Sequence, residues 1–105
     1  MKIDELVFAL SLAQKAGKIA SGDFAVRSAL KSGKTKLLVV AGDTAPNTKK
    51  DLVFMAQAAK VPLLEALTRQ TLGGAIGKGN RTAIAVLDDG LAEMIKKKIT
   101  VVAKK

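Results

Sequence analysis

Two continuous apolar runs decide the fold of this 105-residue chain: Leu37-Leu38-Val39-Val40-Ala41 and Ala83-Ile84-Ala85-Val86-Leu87. Apolar runs of this length, without alternating polar residues, predict β-strands that are buried on both faces. Two shorter stretches, 62–66 and 18–21, predict a further strand and a short extended segment. The chain therefore carries strands for one small sheet.

Segments whose apolar residues recur at the helical period separate these strands and predict five helices. The predicted caps are Ser21 or Asp23 for the second helix, Asn47 or Thr48 for the third, Thr68 for the fourth and Asp88 or Asp89 for the fifth. The predicted helices span about 5–16, 23–32, 48–60, 69–76 and 91–98.

The alternation of helices with apolar strands predicts a single-domain, three-layer α/β/α sandwich with a small mixed sheet, over residues 1–105. Residues 96–105 form a basic tail or a helix extension in this interpretation. The last of them, 99–105, either continue the final helix or pair as an edge strand.

The composition removes several kinds of chemistry. The chain has no Cys and no His, which excludes disulfides, thiol nucleophiles, imidazole bases and ordinary zinc sites. The glycine-rich stretch 73–79 lacks the spacing of a nucleotide-binding loop. Gly73 and Gly74 are instead expected to allow close helix packing, and Gly77 to end a helix. We expect a protein that is not an enzyme and that uses no cofactor or metal.

The charge indicates the kind of partner. Lys and Arg number 18 against nine Asp and Glu, which gives a net charge of +9. A small domain with this much positive charge favours a polyanion as partner. The phosphates of a nucleic acid attract it, and binding releases the counterions of those phosphates. No stretch has the length of a membrane helix, and the N-terminus lacks a secretory signal, so we expect a cytoplasmic protein without membrane contact.

The second predicted helix has a basic face. Phe24, Arg27, Ser28 and Lys31 recur at helical spacing, opposite an apolar set that faces the core. A phenyl ring among cations suits RNA, where stacking on a base accompanies phosphate contacts. The alternative for Phe24 is that its ring folds back on the preceding segment. An ordinary solvated face is the alternative for the two cations.

A second basic group, Lys78 and Arg81, flanks Gly79 and Asn80 in the loop before the last apolar strand. Asn can bind base edges and Gly permits close backbone approach, whereas the alternative is a simple surface turn. A third group consists of five lysines between residues 96 and 105, for which we expect only diffuse affinity for nucleic acid.

Nearly the whole chain, about residues 6–95, resembles the L7Ae ribosomal-protein family of kink-turn RNA binders, and most of all its small bacterial YlxQ-like branch. The segments that carry the resemblance are Leu12-Ala13-Gln14-Lys15-Ala16-Gly17-Lys18-Ile19, Ser21-Gly22, Gly33, Lys36-Leu37-Leu38-Val39-Val40-Ala41-Gly42-Asp43, Asn47-Thr48, Val61-Pro62 and Leu72-Gly73-Gly74-Ala75-Ile76-Gly77-Lys78. Their order and spacing together carry the resemblance.

The resemblance implies an α/β/α sandwich with an RNA site at the start of the second helix, joined by the loop before the last strand. Family members grip tandem G·A pairs with a Gly-x-Asn-Glu-x-x-Lys segment. Here Gly22 matches the Gly, but Phe24, Ala25 and Ser28 stand where the Asn, Glu and Lys would be. Lys18 and Lys36 match basic positions of the family, and residues 78–81 replace a largely apolar loop.

The sequence thus predicts a non-catalytic RNA-binding protein of ribosomal type. We expect it to recognise structured, kink-turn-like RNA of ribosomal or messenger origin, with ribonucleoprotein proteins as further partners. The alternative is a protein-interaction adaptor of the same fold with weak RNA binding. The predicted RNA-binding residues are Lys18, Ser21, Gly22, Phe24, Arg27, Ser28, Lys31, Lys36, Lys78, Gly79, Asn80, Arg81 and Thr82.

Overall fold

The two long apolar runs form the centre of a four-stranded sheet. The computed structural model describes the backbone of residues 3–103 and the side chains of residues 5–97. The strands are β1 (Ile19–Ser21), β2 (Leu37–Val40), β3 (Leu63–Glu65) and β4 (Ala83–Val86), in the order β1-β4-β2-β3. β4 is antiparallel to β1 and β2, and β2 is parallel to β3, so the sheet is mixed as predicted.

Five helices cover both faces of the sheet. They are α1 (Ile3–Lys15), α2 (Asp23–Lys31), α3 (Pro46–Ala59), α4 (Arg69–Ala75) and α5 (Asp89–Ala103). Leu37 and Val39 point into a core shared with α1, α4 and α5, whereas Leu38 and Val40 point into a core shared with α2 and α3. Successive strand residues face opposite sides, so one apolar run supplies both cores. The predicted three-layer α/β/α sandwich is confirmed.

The helix ends agree with the sequence in part. Thr68 caps α4 as predicted, and its hydroxyl accepts a hydrogen bond from the amide of Thr71 at 3.1 Å. The side chain of Asp88 accepts one from the amide of Leu91 at 2.9 Å. α5 continues through Ala103, so residues 99–103 extend the helix rather than add a strand. Lys104 and Lys105 lie outside the described residues.

Two predicted caps are wrong. α3 begins at Pro46, because proline already has the backbone angle of a first helical residue. Ala45 therefore occupies the cap position, and the predicted caps Asn47 and Thr48 lie inside the helix. Gly22 precedes α2 in place of Ser21 or Asp23, and no side chain caps this helix. The backbone angles of Pro46 and Gly22, rather than a side-chain cap, set these two helix starts.

Strand direction positions the functional surface. Ser21, Val40 and Glu65 end their strands at the same end of the sheet where Ala83 begins β4, and we call this the Ser21 end. The opposite end, where Ile19 and Leu37 begin their strands beside Val86, is the Ile19 end. Both α2 and α3 begin at the Ser21 end and run back across the same face of the sheet.

Candidate nucleic-acid interface

The start of α2 depends on a glycine. Gly22 has φ 92°, a backbone conformation that side-chain-bearing residues rarely adopt. Its carbonyl accepts a hydrogen bond from the amide of Val26 at 3.0 Å, which begins the helix directly after β1. An added Cβ would meet no atom within 4 Å, so backbone conformation rather than space requires Gly22. The turn leaves the first amides of α2 at the Ser21 end.

The loop of residues 77–82 is held in place by the end of α4. The amide of Lys78 donates to the carbonyl of Gly73 at 2.9 Å, and Gly77 takes the left-handed conformation with φ 73°. This pattern ends the helix as the sequence predicted for Gly77. Gly73 packs directly on the backbone of Gly79, which confirms the predicted close approach, whereas Gly74 faces open space, so close packing there was wrong.

Arg81 joins this loop to the start of α2. Its Nε lies 3.5 Å from Oγ of Ser21, and its Nη1 donates to the carbonyl of Asn80 at 2.9 Å. Between the loop, α2 and α3 lies a cavity of about 320 Å³ that opens at the Ser21 end. Its polar lining consists of Gly22, Asp23, Thr48, Asn80, Arg81 and Thr82. The first turns of α2 and α3 therefore share one polar, hydroxyl-bearing depression whose lining includes the charges of Asp23 and Arg81.

The ring of Phe24 stands in solvent. It is 85% exposed, so the interpretation in which Phe24 folds back on the preceding segment is wrong. Val26, Ala29 and Leu30 are buried on the opposite side of α2, as the helical period predicted. A flat apolar ring at the start of a helix is accessible to a stacking partner.

Arg27 is less available than its place in the sequence indicates. Its Nε donates to Oδ1 of Asp23 at 2.8 Å, and its Nη1 lies 3.4 Å from Sδ of Met55 on α3. The hydrogen bond to Asp23 raises the pKa of Arg27 above its ordinary value. Asp23 therefore offsets part of this positive charge. Lys31, one turn further along the same face, is exposed and has no ion-pair partner among the described side chains.

Of the thirteen predicted residues, Lys78 and Gly79 lie in the loop without lining the cavity, and nine others line the cavity or the outer face of α2 or, like Ser21, contact that lining. They occupy the Ser21 end, the outer face of α2 and the 77–82 loop. Lys18 and Lys36 do not join them. The carbonyl of Lys18 accepts from the amide of Leu87, and the amide of Lys36 donates to the carbonyl of Val86, which places both at the Ile19 end. Lys18 and Gly22 bracket β1, which separates them by roughly 13 Å.

Sequence reasoning missed Arg69. The carbonyl of Arg69 accepts from the amide of Arg81 at 3.0 Å, so this cation lies beside the basic loop. Asp43, which follows β2, accepts from the amide of Arg69 at 2.8 Å and lies 3.6 Å from its Nε. Arg69 begins a helix 12 residues before Arg81, and no local pattern in the sequence brings the two together.

The described residues contain no group of three His, Cys, Asp or Glu side chains that could hold a metal ion. None of their helices combines the length and the apolar character needed to cross a membrane. The surface just described thus offers amides, hydroxyls, cations and one exposed ring.

The fold and this surface define a small three-layer α/β/α protein with a polar surface that includes Arg27 and Arg81 at the starts of α2 and α3. The chain belongs to the ribosomal protein L7Ae/L30e/S12e/Gadd45 family, whose sequence model matches residues 4–103. The family resemblance stated from the sequence is confirmed.

Individual relatives agree with this assignment. The chain is 34% identical to RNA-binding protein YlxQ of Bacillus subtilis over 86 residues, 82% of this chain and 86% of that protein. It is 33% identical to large ribosomal subunit protein eL30 of Neurospora crassa, with 82% and 81% of the two chains covered. A solved structure of a protein of unknown function from Bacillus halodurans C superposes with a TM-score of 0.87 at 30% identity, over 91% of this chain and 97% of that one.

Proposed function

We propose that this chain is a single-domain, non-catalytic RNA-binding protein of ribosomal type that docks rigidly on structured, kink-turn-like RNA through the Ser21 end. The observation that carries the proposal is the contact of Arg81 with Ser21, which joins the basic loop to the start of α2 beside an open cavity. Relatives named as an RNA-binding protein and as a ribosomal protein support it.

Each group has a role suited to its chemistry. Lys31, Lys78 and Arg81 contact phosphates, and the free amides of the first turn of α2 donate hydrogen bonds to a further phosphate oxygen. Arg69 adds a cation beside Arg81. Asn80, exposed at the tip of the loop, offers an amide to a base edge.

Recognition of G·A pairs by this chain differs from the family pattern. Phe24 and Ala25 replace the amide and carboxylate side chains that grip guanine edges, and Ser28 replaces a cation. Stacking on Phe24 takes the place of those hydrogen bonds, so affinity depends more on phosphate contacts and on an unpaired base. The RNA is ribosomal or messenger, and the protein acts in the cytoplasm.

A binding titration at two salt concentrations tests the proposal. It compares a standard kink-turn RNA, the same RNA with its G·A pairs replaced, and a plain duplex of equal length. Tighter binding to the intact kink-turn supports the proposal. Equal and salt-sensitive binding to all three RNAs supports general RNA binding and contradicts kink-turn recognition. Absence of binding to any of them overturns the proposal and favours a protein adaptor.

A further inference from the structure

All three aromatic side chains of the chain lie outside its cores. Phe8 is 64% exposed, Phe24 85% and Phe54 71%, while both cores consist of aliphatic residues and alanine. Aromatic rings normally contribute large buried area, so their exposure indicates surfaces with another use. Phe24 and Phe54 lie on the α2–α3 layer, and Phe8 lies on α1 in the opposite layer.

Two neighbouring depressions on the α2–α3 layer lie beside Phe24 and Phe54, and we call them together the α2–α3 groove. Phe54, Met55, Ala58 and Leu30 line a depression of about 310 Å³, and Phe24, Ser28 and Ser32 line one of about 490 Å³. Only residues of α2 and Ser32 after it line the depression beside Phe24, residues of both helices line the one beside Phe54, and Lys31 lies between the two depressions. The contact of Arg27 with Met55 closes the floor between the two helices.

The two rings lie at different heights along this α2–α3 groove. Phe24 precedes Leu30 by six residues, which places it about 9 Å nearer the start of α2. The start of α2 belongs to the proposed RNA interface, so the groove leads away from that interface. Lys31 lies between the two rings, whereas Lys50, one turn before Phe54 on α3, lines a separate depression with Lys49 and Val53.

We propose that the α2–α3 groove binds a single-stranded segment that flanks the structured RNA. Bases stack on Phe24 and then on Phe54, and a phosphate lies near Lys31 between the two rings. Rings alternating with cations are the arrangement by which proteins hold unpaired strands. This inference rests on the proposed function and extends it, since it names the RNA as a folded element with an unpaired tail.

The surroundings of Phe24 favour RNA over a protein partner. Asp23, Arg27, Ser28 and Ser32 surround its ring with polar groups, which interrupt the apolar lining around Phe54. The centre of a protein interface is apolar and poor in charge, and it extends over several hundred Å² per partner. Two separate rings on either side of a lysine match an unpaired nucleic-acid strand better.

The test compares one kink-turn RNA with and without an unpaired extension of about six nucleotides, at either end in turn. The proteins are the wild type, Phe54→Ala and the matched control Phe8→Ala, which removes an equally exposed ring from the opposite layer. We expect the extension at one end to tighten wild-type binding about fivefold or more. Phe54→Ala should lose that gain while binding the RNA without extension as before. Phe8→Ala should keep the gain.

Three results would overturn the inference. An extension that adds no affinity to the wild type excludes strand binding in the groove. An equal gain in wild type and Phe54→Ala assigns the effect to charge alone. A loss of affinity for both RNAs in Phe54→Ala, with unchanged thermal unfolding, makes Phe54 part of the structured-RNA site. Failure of the wild type to bind either RNA would instead overturn the proposed function itself.

Discussion

Gly73 of α4 packs against the carbonyl of Gly79 so closely that a Cβ on Gly73 would lie 1.7 Å from that oxygen. The same added atom would lie 2.7 Å from the carbonyl carbon of Gly79 and 3.2 Å from the amide nitrogen of Arg81. These are backbone atoms and cannot turn away as a flexible side chain would. The shape of the basic loop is thus fixed by the absence of one methyl group in the helix beneath it.

Gly73→Ala should therefore displace the loop. We expect a loss of about 1–3 kcal/mol in the free energy of unfolding, together with weaker RNA binding. Gly74→Ala is the matched control, because its Cβ would meet nothing within 4 Å, and it should leave the protein as stable or slightly more so. Denaturant unfolding and an RNA titration of both variants check this. Equal stability of the two variants would contradict the packing described.

Asp23→Asn should strengthen RNA binding. The substitution removes a negative charge from the interface and releases the guanidinium of Arg27 from its 2.8 Å ion pair. We expect a higher affinity and a salt slope steeper by up to about one unit. Asp89→Asn makes the same change in net charge on α5, which covers the other face of the sheet, and should have less effect. Titrations at several salt concentrations distinguish the two, and an unchanged slope in Asp23→Asn would show that Arg27 does not reach the RNA.

Lys31→Ala and Arg27→Ala should both weaken RNA binding, but to different extents. Lys31 has no partner to offset its charge among the described side chains, whereas Asp23 already offsets that of Arg27. We expect Lys31→Ala to lower the salt slope by up to about one unit and Arg27→Ala to lower it by less. If neither substitution changes the affinity, the outer face of α2 is not part of the RNA site.

Lys78→Ala should reduce RNA affinity more than Lys18→Ala, although both change the net charge equally. Lys78 lies in the loop at the Ser21 end, and Lys18 lies at the Ile19 end of the sheet. Exposed charges farther apart than a Debye length of about 8 Å are largely screened from each other. A lysine at the RNA site should therefore affect the affinity more than a lysine at the opposite end of the sheet. Affinities of both variants at physiological salt provide the measurement. Equal losses would mean that RNA covers both ends.

RNA affinity should hardly change between about pH 6 and pH 8. The chain has no His or Cys, and the hydrogen bond to Asp23 raises the pKa of Arg27 still further above this range. A group with a raised pKa keeps its stabilising charge until the pH rises through that value, so the ion pair of Arg27 is not lost here. Titrations at constant ionic strength test this. A change larger than about threefold would reveal a titrating group in the interface or the RNA.

The sequence predicted the sheet and its layers because continuous apolar runs indicate strands that are buried on both faces. β2 and β4 are buried along their whole length, and their alternating side chains fill both cores. Helix starts were less predictable, since Pro46 and Gly22 act through backbone angles that compete with the capping residues near them.

The candidate site was predictable where its residues share one element. The face of α2 follows from helical spacing, and so does the ion pair of Asp23 with Arg27, which lie four residues apart. Lys18 lies apart from most of the predicted residues, because it precedes β1 whereas Gly22 follows β1, and the sequence does not show which end of this strand the site occupies. Arg69 was missed, because only the folded chain brings it beside Arg81.

The position of β4 in the sheet has a consequence for synthesis on the ribosome. β4 is the last strand to be synthesised. β1 pairs with β4 and with no other described strand, and one edge of β2 also pairs with β4. A nascent chain that ends before residue 83 can form the β2–β3 pair but leaves β1 without a partner. Domains whose pairing depends on distant segments fold late. The segment of residues 78–86 contains both the basic loop and the strand that completes the sheet, so the chain acquires its fold and the shape of this loop in the same step.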